Sequence, residues 1–410
     1  MAEGITIDDV DAARVRGSGV VLATPTLPST SFSRLVGTEV WLKAENLQRT
    51  GSFKIRGGMN AVGLLPDSAR HAGVVAASAG NHAQGVALAA AEHGVPATVF
   101  MPESAAIPKI AATKEYGAEI RLAGANLAEA TDHAKAFEAE TGAAFIHPFD
   151  DPHIVAGQGT LGMELAEQVE DLDTVIIPVG GGGLISGASL ALKHANPGIR
   201  IVGVQSEAVP TYLTAREEGT PHEIHPQPTI SDGIAVSRPS DLCFAMIEEH
   251  VDELVAVDDD LTTEAVALLL ERAKYLVEPS GAVGLAALLH GKVSAAGRTA
   301  VVLSGGNIDL LLLGGVVRHG LETRGRFARF TVVVPDEPGN LADVLTRIGA
   351  RGGNVLSVEH QREGSGVEFG TVAIQLSIET RGPEHITAIL DELGDYVVSG
   401  THAGFGNDSP

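Results

Sequence analysis

Cysteine is all but absent from this chain of 410 residues, where Cys243 stands alone. A single thiol excludes an internal disulfide and a cysteine-built metal cluster, and leaves a small buried apolar side chain as its plain reading. Basic residues are scarce as well. Lys and Arg total 28 against 52 Asp and Glu, a formal net charge of −24 at pH 7. Nucleic acid and anionic membrane both repel such a surface, so neither is expected as a partner. No stretch reaches the ~18 apolar residues of a membrane-spanning helix. The first residues, Met1-Ala2-Glu3-Gly4-Ile5-Thr6-Ile7-Asp8-Asp9, carry neither a basic cluster nor an apolar run, so a soluble, cytoplasmic protein is expected. With 44% apolar and 20% charged residues the composition is that of an ordinary globular chain. Its length exceeds the ~250–300 residues at which a single core stops growing, which predicts two or three domains.

What is present is a lysine in an unusual place. Thr50-Gly51-Ser52-Phe53-Lys54-Ile55-Arg56-Gly57-Gly58 sets Lys54 among small and hydroxylated residues just before an apparent helix. A lysine held there, away from bulk water, has its charged form disfavoured and approaches a neutral amine able to attack a carbonyl. That is the chemistry of a Schiff-base lysine, with a solvated loop lysine as the competing reading. Downstream, Thr174–Val179 reads as a buried strand, followed by Gly180-Gly181-Gly182-Gly183 and a helix over Leu184–Leu192. Four glycines between strand and helix leave bare amides free to wrap an anion at the positive helix end. The run is not G-x-G-x-x-G, and no Lys-Ser/Thr follows as in a nucleotide P-loop, so the phosphate of a smaller cofactor fits better. A third segment, Leu303-Ser304-Gly305-Gly306-Asn307, places a hydroxyl at the end of the apolar strand Thr299–Val302. Open parallel sheets bind their ligands at such ends. Aldehyde partner, phosphate cradle and ring-nitrogen partner together outline a site for pyridoxal phosphate.

From residue 71 short apolar strands alternate with helical segments, among them Gly73–Ala77, Ala97–Met101, Glu119–Leu122, Thr174–Val179 and Arg200–Val204. Such alternation predicts an α/β chain with parallel sheets covered on both faces. The pattern changes after Arg318. Gly320–Arg326 is short, polar and linker-like. Beyond it, Phe330–Val334 reads as a strand, and Leu341, Val344, Leu345 and Ile348 fall at helical spacing. Two strands joined by Gly364-Ser365-Gly366, a helix with Ile386, Ile389, Leu390 and Leu393, and a closing strand at Tyr396-Val397-Val398 complete a βαββαβ order. That order is the ferredoxin-like plan.

Four segments in order carry a family resemblance: Ser52–Gly57, Ser78-Ala79-Gly80-Asn81-His82-Ala83-Gln84-Gly85, the tetraglycine and Ser304–Asn307. Together they resemble the serine/threonine dehydratases, pyridoxal phosphate enzymes of the two-lobed tryptophan-synthase β-like fold (fold type II). Pro338-Gly339-Asn340-Leu341 within the βαββαβ segment resembles an ACT domain. The division implied is a catalytic region over residues 1–320 with a small lobe at about 55–150, a linker over 321–328, and a regulatory domain over 329–402.

The resemblance implies that Lys54 holds the cofactor as an imine and, once freed, acts as base on the substrate Cα proton, with Phe53 and Leu184 also at the cofactor. It assigns Gly180 to Gly183 to the phosphate, Asn81 to the phenolic oxygen and Ser304 to the pyridine nitrogen. Glu278 resembles a position near the ring, a helix-start carboxylate being an equal reading. The substrate carboxylate is expected on Ser78, Ala79, Gly80, Asn81 and His82, although His82 reads equally as a structural loop residue. The implied reaction is dehydration and deamination of L-threonine to 2-oxobutanoate and ammonia, with L-serine second. A serine- or hydroxyaspartate-specific dehydratase or racemase, and a non-catalytic amino-acid sensor, stand as alternatives. A homo-oligomer (dimer or tetramer) is expected, with an amino acid such as isoleucine as effector at Gly339, Asn340 and Leu341; a dimerisation domain without ligand is the other reading. Two departures matter. Related serine racemases carry a serine as second base where this chain has Ala79, and Gln205 and Thr211 stand where they bind a divalent ion, with Glu207 nearby. No metal is expected.

Overall fold

A computed structural model describes residues 4–295, 297–362, 368–394 and 396–400. The chain forms two compact units, Met1–Asp309 and Leu310–Pro410. In the first, strands β1 (Thr26–Pro28), β2 (Val40–Ala44), β3 (Val74–Ala77), β4 (Ala97–Met101), β5 (Glu119–Leu122) and β6 (Ala144–Phe145) precede β7 (Leu172–Pro178), β8 (Arg200–Ser206), β9 (Glu253–Val257) and β10 (Arg298–Leu303). They make two sheets. One has the order β5-β4-β3-β6, wholly parallel; the other runs β1-β2-β10-β7-β8-β9 and is parallel except for β1. Both central strands read as continuous apolar runs because helices cover both faces of a parallel sheet. In β7, Val175, Ile176 and Ile177 are fully buried, as are Ala300 to Leu303 in β10.

Parallel pairing aligns strand ends. Since β10 runs beside β7 in the same direction, Ser304 and the tetraglycine emerge at one sheet margin. The Ser78–Gly80 turn leaves the corresponding end of β3. The expected small lobe, about 55–150, holds the four-stranded sheet.

The helix Lys54–Gly63 is buried from Ile55 to Val62, so it needs neighbours at close range. It crosses the helix Asn81–His93 through glycines. A Cβ on Gly58 would stand 2.9 Å from the Gly85 carbonyl oxygen, and one on Gly85 would stand 3.0 Å from the Lys54 carbonyl carbon. A closed cluster of charges anchors the same helix. Arg56 donates to Glu45 through Nε and Nη2, each at 2.8 Å, and to Glu164 through Nη1 at 2.6 Å and Nη2 at 2.8 Å. Lys43 reaches Glu164 at 2.6 Å. Two cations face two carboxylates, all four buried, so charge is balanced within the core and the helix bearing Lys54 is held to the turn that follows β2 and to the helix Pro152–Gln168.

The second unit opens with the helix Leu310–Thr323, followed by β11 (Phe327–Pro335), β12 (Asn354–Gln361), β13 (Thr371–Glu379) and β14 (Val397–Ser399). The antiparallel sheet has the order β12-β13-β11-β14, the ferredoxin-like arrangement that the βαββαβ order predicts. Phe330, Val332, Ile374 and Leu376 pack beneath the helices Asn340–Ala350 and Pro383–Glu392. The segment 321–328, expected as a linker, instead ends one helix and begins a strand. Gly320, whose glycine suggested a break, is buried inside that helix. The Gly364-Ser365-Gly366 turn lies outside the described residues.

Candidate active site

A cavity of about 380 Å³ opens between the two sheets of the first unit. It gathers every catalytic, cofactor and substrate position read from the sequence: Phe53, Lys54, the Ser78–His82 turn, Gly180 to Leu184, Glu278 and Ser304. The lysine loop is stitched to the Ser304 segment by backbone. Phe53 N donates to the Ser304 carbonyl at 3.2 Å and Gly306 N to the Gly51 carbonyl at 2.8 Å, with Ser52 and Gly305 forming an isolated bridge.

Lys54 occupies the first turn of its helix, and its Nζ donates to the Pro148 carbonyl at 3.0 Å and lies 5.1 Å from the Phe53 ring centre. Burial pushes its ammonium down to about 8, the negative charge of Glu278 working in the other direction. A substantial fraction of this amine is therefore neutral at mildly alkaline pH, which an ordinary lysine is not. Burial and the Lys54 charge push His82 down to about 3. It stays neutral, with Nε2 bonded to the Ile146 carbonyl at 2.8 Å.

Glu278 sits at the N-cap of the helix Pro279–Leu289 but makes no capping hydrogen bond. Its Oε1 accepts from Asn81 Nδ2 at 2.7 Å. Burial raises this carboxyl to about 7, against the lowering effect of Asn81, so it holds a proton into the neutral range. At the tetraglycine, Gly182 takes φ +89° and caps the helix Gly183–Ala195. A Cβ on Gly181 would lie 2.0 Å from Phe149 Cδ1, and one on Gly182 would lie 2.4 Å from the Tyr212 hydroxyl. Bare amides at a helix N-terminus, crowded from outside, form a cup that an anion fits and a side chain would fill. Two buried atoms at the cavity, the acceptor Asn81 Oδ1 and the donor Asn307 Nδ2, lack a partner among the described residues. Such orphans mark where a polar group belongs. A phosphate-bearing aldehyde suits this donor set, and Lys54 with Gly180 to Gly183, Asn81 and Ser304 would hold it.

Some contributors escaped the sequence reading. Pro148 and Phe149 come from a turn in which His147 Nδ1 accepts from Asp150 N at 2.7 Å. Gly233 and Ser280 line the far wall, Gly233 N donating to Ser280 Oγ at 2.9 Å. None of these carries a motif. The Gln205 carboxamide oxygen accepts from the amides of Tyr212 and Leu213 at 3.0 Å, and its Nε2 donates to Thr211 Oγ1 at 3.1 Å. The two side chains at the racemase metal position thus satisfy each other and a helix end. Glu207 pairs with Lys292 at 3.4 Å.

With a lysine at the head of a cavity whose floor is a phosphate-sized glycine cup, the chain belongs to the pyridoxal-phosphate-dependent enzymes; the family model "Pyridoxal-phosphate dependent enzyme" matches residues 18–305. The protein is 44% identical to an L-threonine ammonia-lyase of Thermotoga maritima over 94% of this chain and 96% of that one. Among solved structures it resembles threonine deaminase isoform 2 of Solanum lycopersicum (33% identity, TM-score 0.72, covering 77% of this chain and 95% of that one). It also resembles maize serine racemase (36% identity, TM-score 0.72, covering 78% and 99%). Among the described residues no helix is long and apolar enough to cross a membrane.

Proposed function

We propose that this protein is an L-threonine ammonia-lyase, converting L-threonine to 2-oxobutanoate and ammonia with L-serine as a secondary substrate. The observation that carries this reading is Lys54 poised as a partly neutral amine beside the glycine cup, with Ala79 where a second base would stand. Pyridoxal phosphate, when bound, supplies the electron-withdrawing ring that makes the substrate Cα proton acidic. Lys54 Nζ takes that proton, and its lowered basicity suits the task near neutral pH. The Ser78–Asn81 turn holds the substrate carboxylate through backbone amides, while neutral His82 braces the turn against Ile146. Ser304, uncharged, would place no negative charge beside the cofactor ring, which would favour prompt loss of the β-hydroxyl over competing chemistry. Glu278 orients the Asn81 carboxamide.

Racemisation needs a group on the opposite face to return a proton. Ala79 has no proton to give and packs among Ala83, Ala87 and Val99. The second unit acts as a regulatory domain of ACT type in a homo-oligomer. An aliphatic amino acid such as isoleucine binds at Gly339, Asn340 and Leu341, where exposed Gly339 takes φ +102° ahead of the helix Asn340–Ala350 and Asn340 Nδ2 braces the loop on the Pro335 carbonyl at 2.9 Å. The test is a substrate panel with chiral analysis of unreacted amino acid. Release of 2-oxobutanoate from L-threonine, faster than pyruvate from L-serine and without D-isomer, is expected. No 2-oxo acid from any β-hydroxy amino acid, or D-serine formed as fast as pyruvate, would overturn it.

A further inference from the structure

The glycine cup is backed by side chains that lie outside the cavity. Tyr212 is fully buried and packs in the core with Ile177, Ile185 and Ile247. It is no part of the cavity lining. A buried hydroxyl is costly unless it is hydrogen-bonded, and this one donates to the Gly181 carbonyl at 2.8 Å. Burial raises the phenol far above the ordinary tyrosine range, so it remains a donor at any working pH. Across a planar trans peptide, the carbonyl of one residue and the N–H of the next point in opposite directions. With the Gly181 carbonyl drawn outward to Tyr212, the Gly182 amide faces inward, to the cavity that Gly180 to Gly183 line. That amide makes no hydrogen bond among the described residues. A peptide plane flanked by two glycines has no Cβ on either side to hold it, so it turns over readily unless something pins it.

Tyr212 is itself held in place. It is the second residue of the helix Thr211–Glu218, and its amide and that of Leu213 each donate to Gln205 Oε1 at 3.0 Å. Gln205 follows Val204 in β8, and Val204 pairs with Pro178 at the end of β7. The strand beside the cup's own strand therefore fixes where the hydroxyl stands. Cys243 fills the space next to it. A Cβ on Gly182 would lie 2.8 Å from Cys243 Cβ, and the thiol donates to the Phe149 carbonyl at 3.6 Å.

We propose that Tyr212 is a positioning residue for the cofactor phosphate: by holding the Gly181 carbonyl outward it keeps the Gly182 amide aimed into the cup. The proposal rests on pyridoxal phosphate occupying this cavity. Tyr212→Phe removes the hydroxyl and keeps the packing of the ring. The experiment titrates full-length apoenzyme, wild type and Tyr212→Phe, with pyridoxal phosphate and separately with pyridoxal, which has no phosphate. The variant should bind pyridoxal phosphate roughly two- to tenfold more weakly and pyridoxal as the wild type does. Phosphorus NMR of the variant loaded with pyridoxal phosphate should show a displaced resonance, which a loss of packing away from the cup would not produce. Gln205→Ala, which frees the helix end carrying Tyr212, should weaken binding with the same selectivity. Equal affinity for pyridoxal phosphate in wild type and Tyr212→Phe, or equal losses for pyridoxal phosphate and pyridoxal, would overturn the proposal. A wild-type protein that binds neither ligand would overturn the cofactor assignment, and the proposal with it.

Discussion

Replacing Arg56 with alanine removes one cation from a buried cluster of two, and the consequence is largest where the carboxylates stay charged. Arg56 supplies four hydrogen bonds to Glu45 and Glu164; without it, Lys43 alone faces both carboxylates. Breaking a buried pair from one side costs about 3–5 kcal/mol, because an uncompensated charge stays behind. That is a large part of a total stability of about 5–15 kcal/mol. The pH dependence gives the sign. In the wild type, burial opposes the charge on Glu45 but the Arg56 guanidinium outweighs it, holding the carboxyl below its ordinary range. Its contribution is present above the unfolded pKa and is lost as pH falls through the folded one. In Arg56→Ala burial pushes the Glu45 carboxyl upward instead, so its protonation relieves the variant as pH falls. Urea denaturation of the catalytic unit at pH 7.5 and pH 5.0 should therefore show a gap of about 3–5 kcal/mol that narrows on acidification. A gap below about 1 kcal/mol at pH 7.5, or one that widens in acid, would refute the account of this cluster.

Gly181→Ala drives a Cβ to 2.0 Å from Phe149 and displaces the cup; overpacking of about 1–3 kcal/mol predicts roughly five- to a hundredfold weaker cofactor binding in a fluorescence titration of apoenzyme. Unchanged affinity would count against the cup. Glu278, raised to about 7 by burial, favours folding below its unfolded pKa and loses that contribution as pH rises through about 7. The apoenzyme of Glu278→Gln should therefore match the wild type near pH 4.5 and exceed it in stability by up to about 3 kcal/mol at pH 8; a constant difference across that range would contradict the raised pKa. Ser304→Asp puts an ionisable group at the strand end and should slow formation of 2-oxobutanoate while raising transamination, read as a changed product ratio. An unchanged ratio removes Ser304 from control of reaction type.

The parts of the site legible in the sequence are those whose chemistry is local. Lys54 with its glycines, the tetraglycine and Ser304 each sit within a few residues of the strand or helix end that positions them, so pattern alone placed them. Glu278 was legible as a position and ambiguous as a role, since helix start and ring neighbour are the same place in the fold; only Asn81, 197 residues away, distinguishes them. Arg56 sits inside the lysine motif, yet its partner Glu164 is 108 residues distant, and no spacing rule reports such a pair. Phe149 and Pro148 enter through a turn with no signature of their own. The segment 321–328 misled because glycine and charge suggest a linker, whereas Gly320 is buried within a helix that runs on to Thr323.

Everything in the proposed chemistry passes through one amine. Borohydride reduction of the holoenzyme, followed by proteolysis and mass spectrometry, should find the pyridoxyl group on the peptide containing Lys54, and Lys54→Ala should show neither the label nor turnover of L-threonine. A label on another lysine, such as Lys43, or a Lys54→Ala enzyme that still releases 2-oxobutanoate at the wild-type rate, would contradict the assignment.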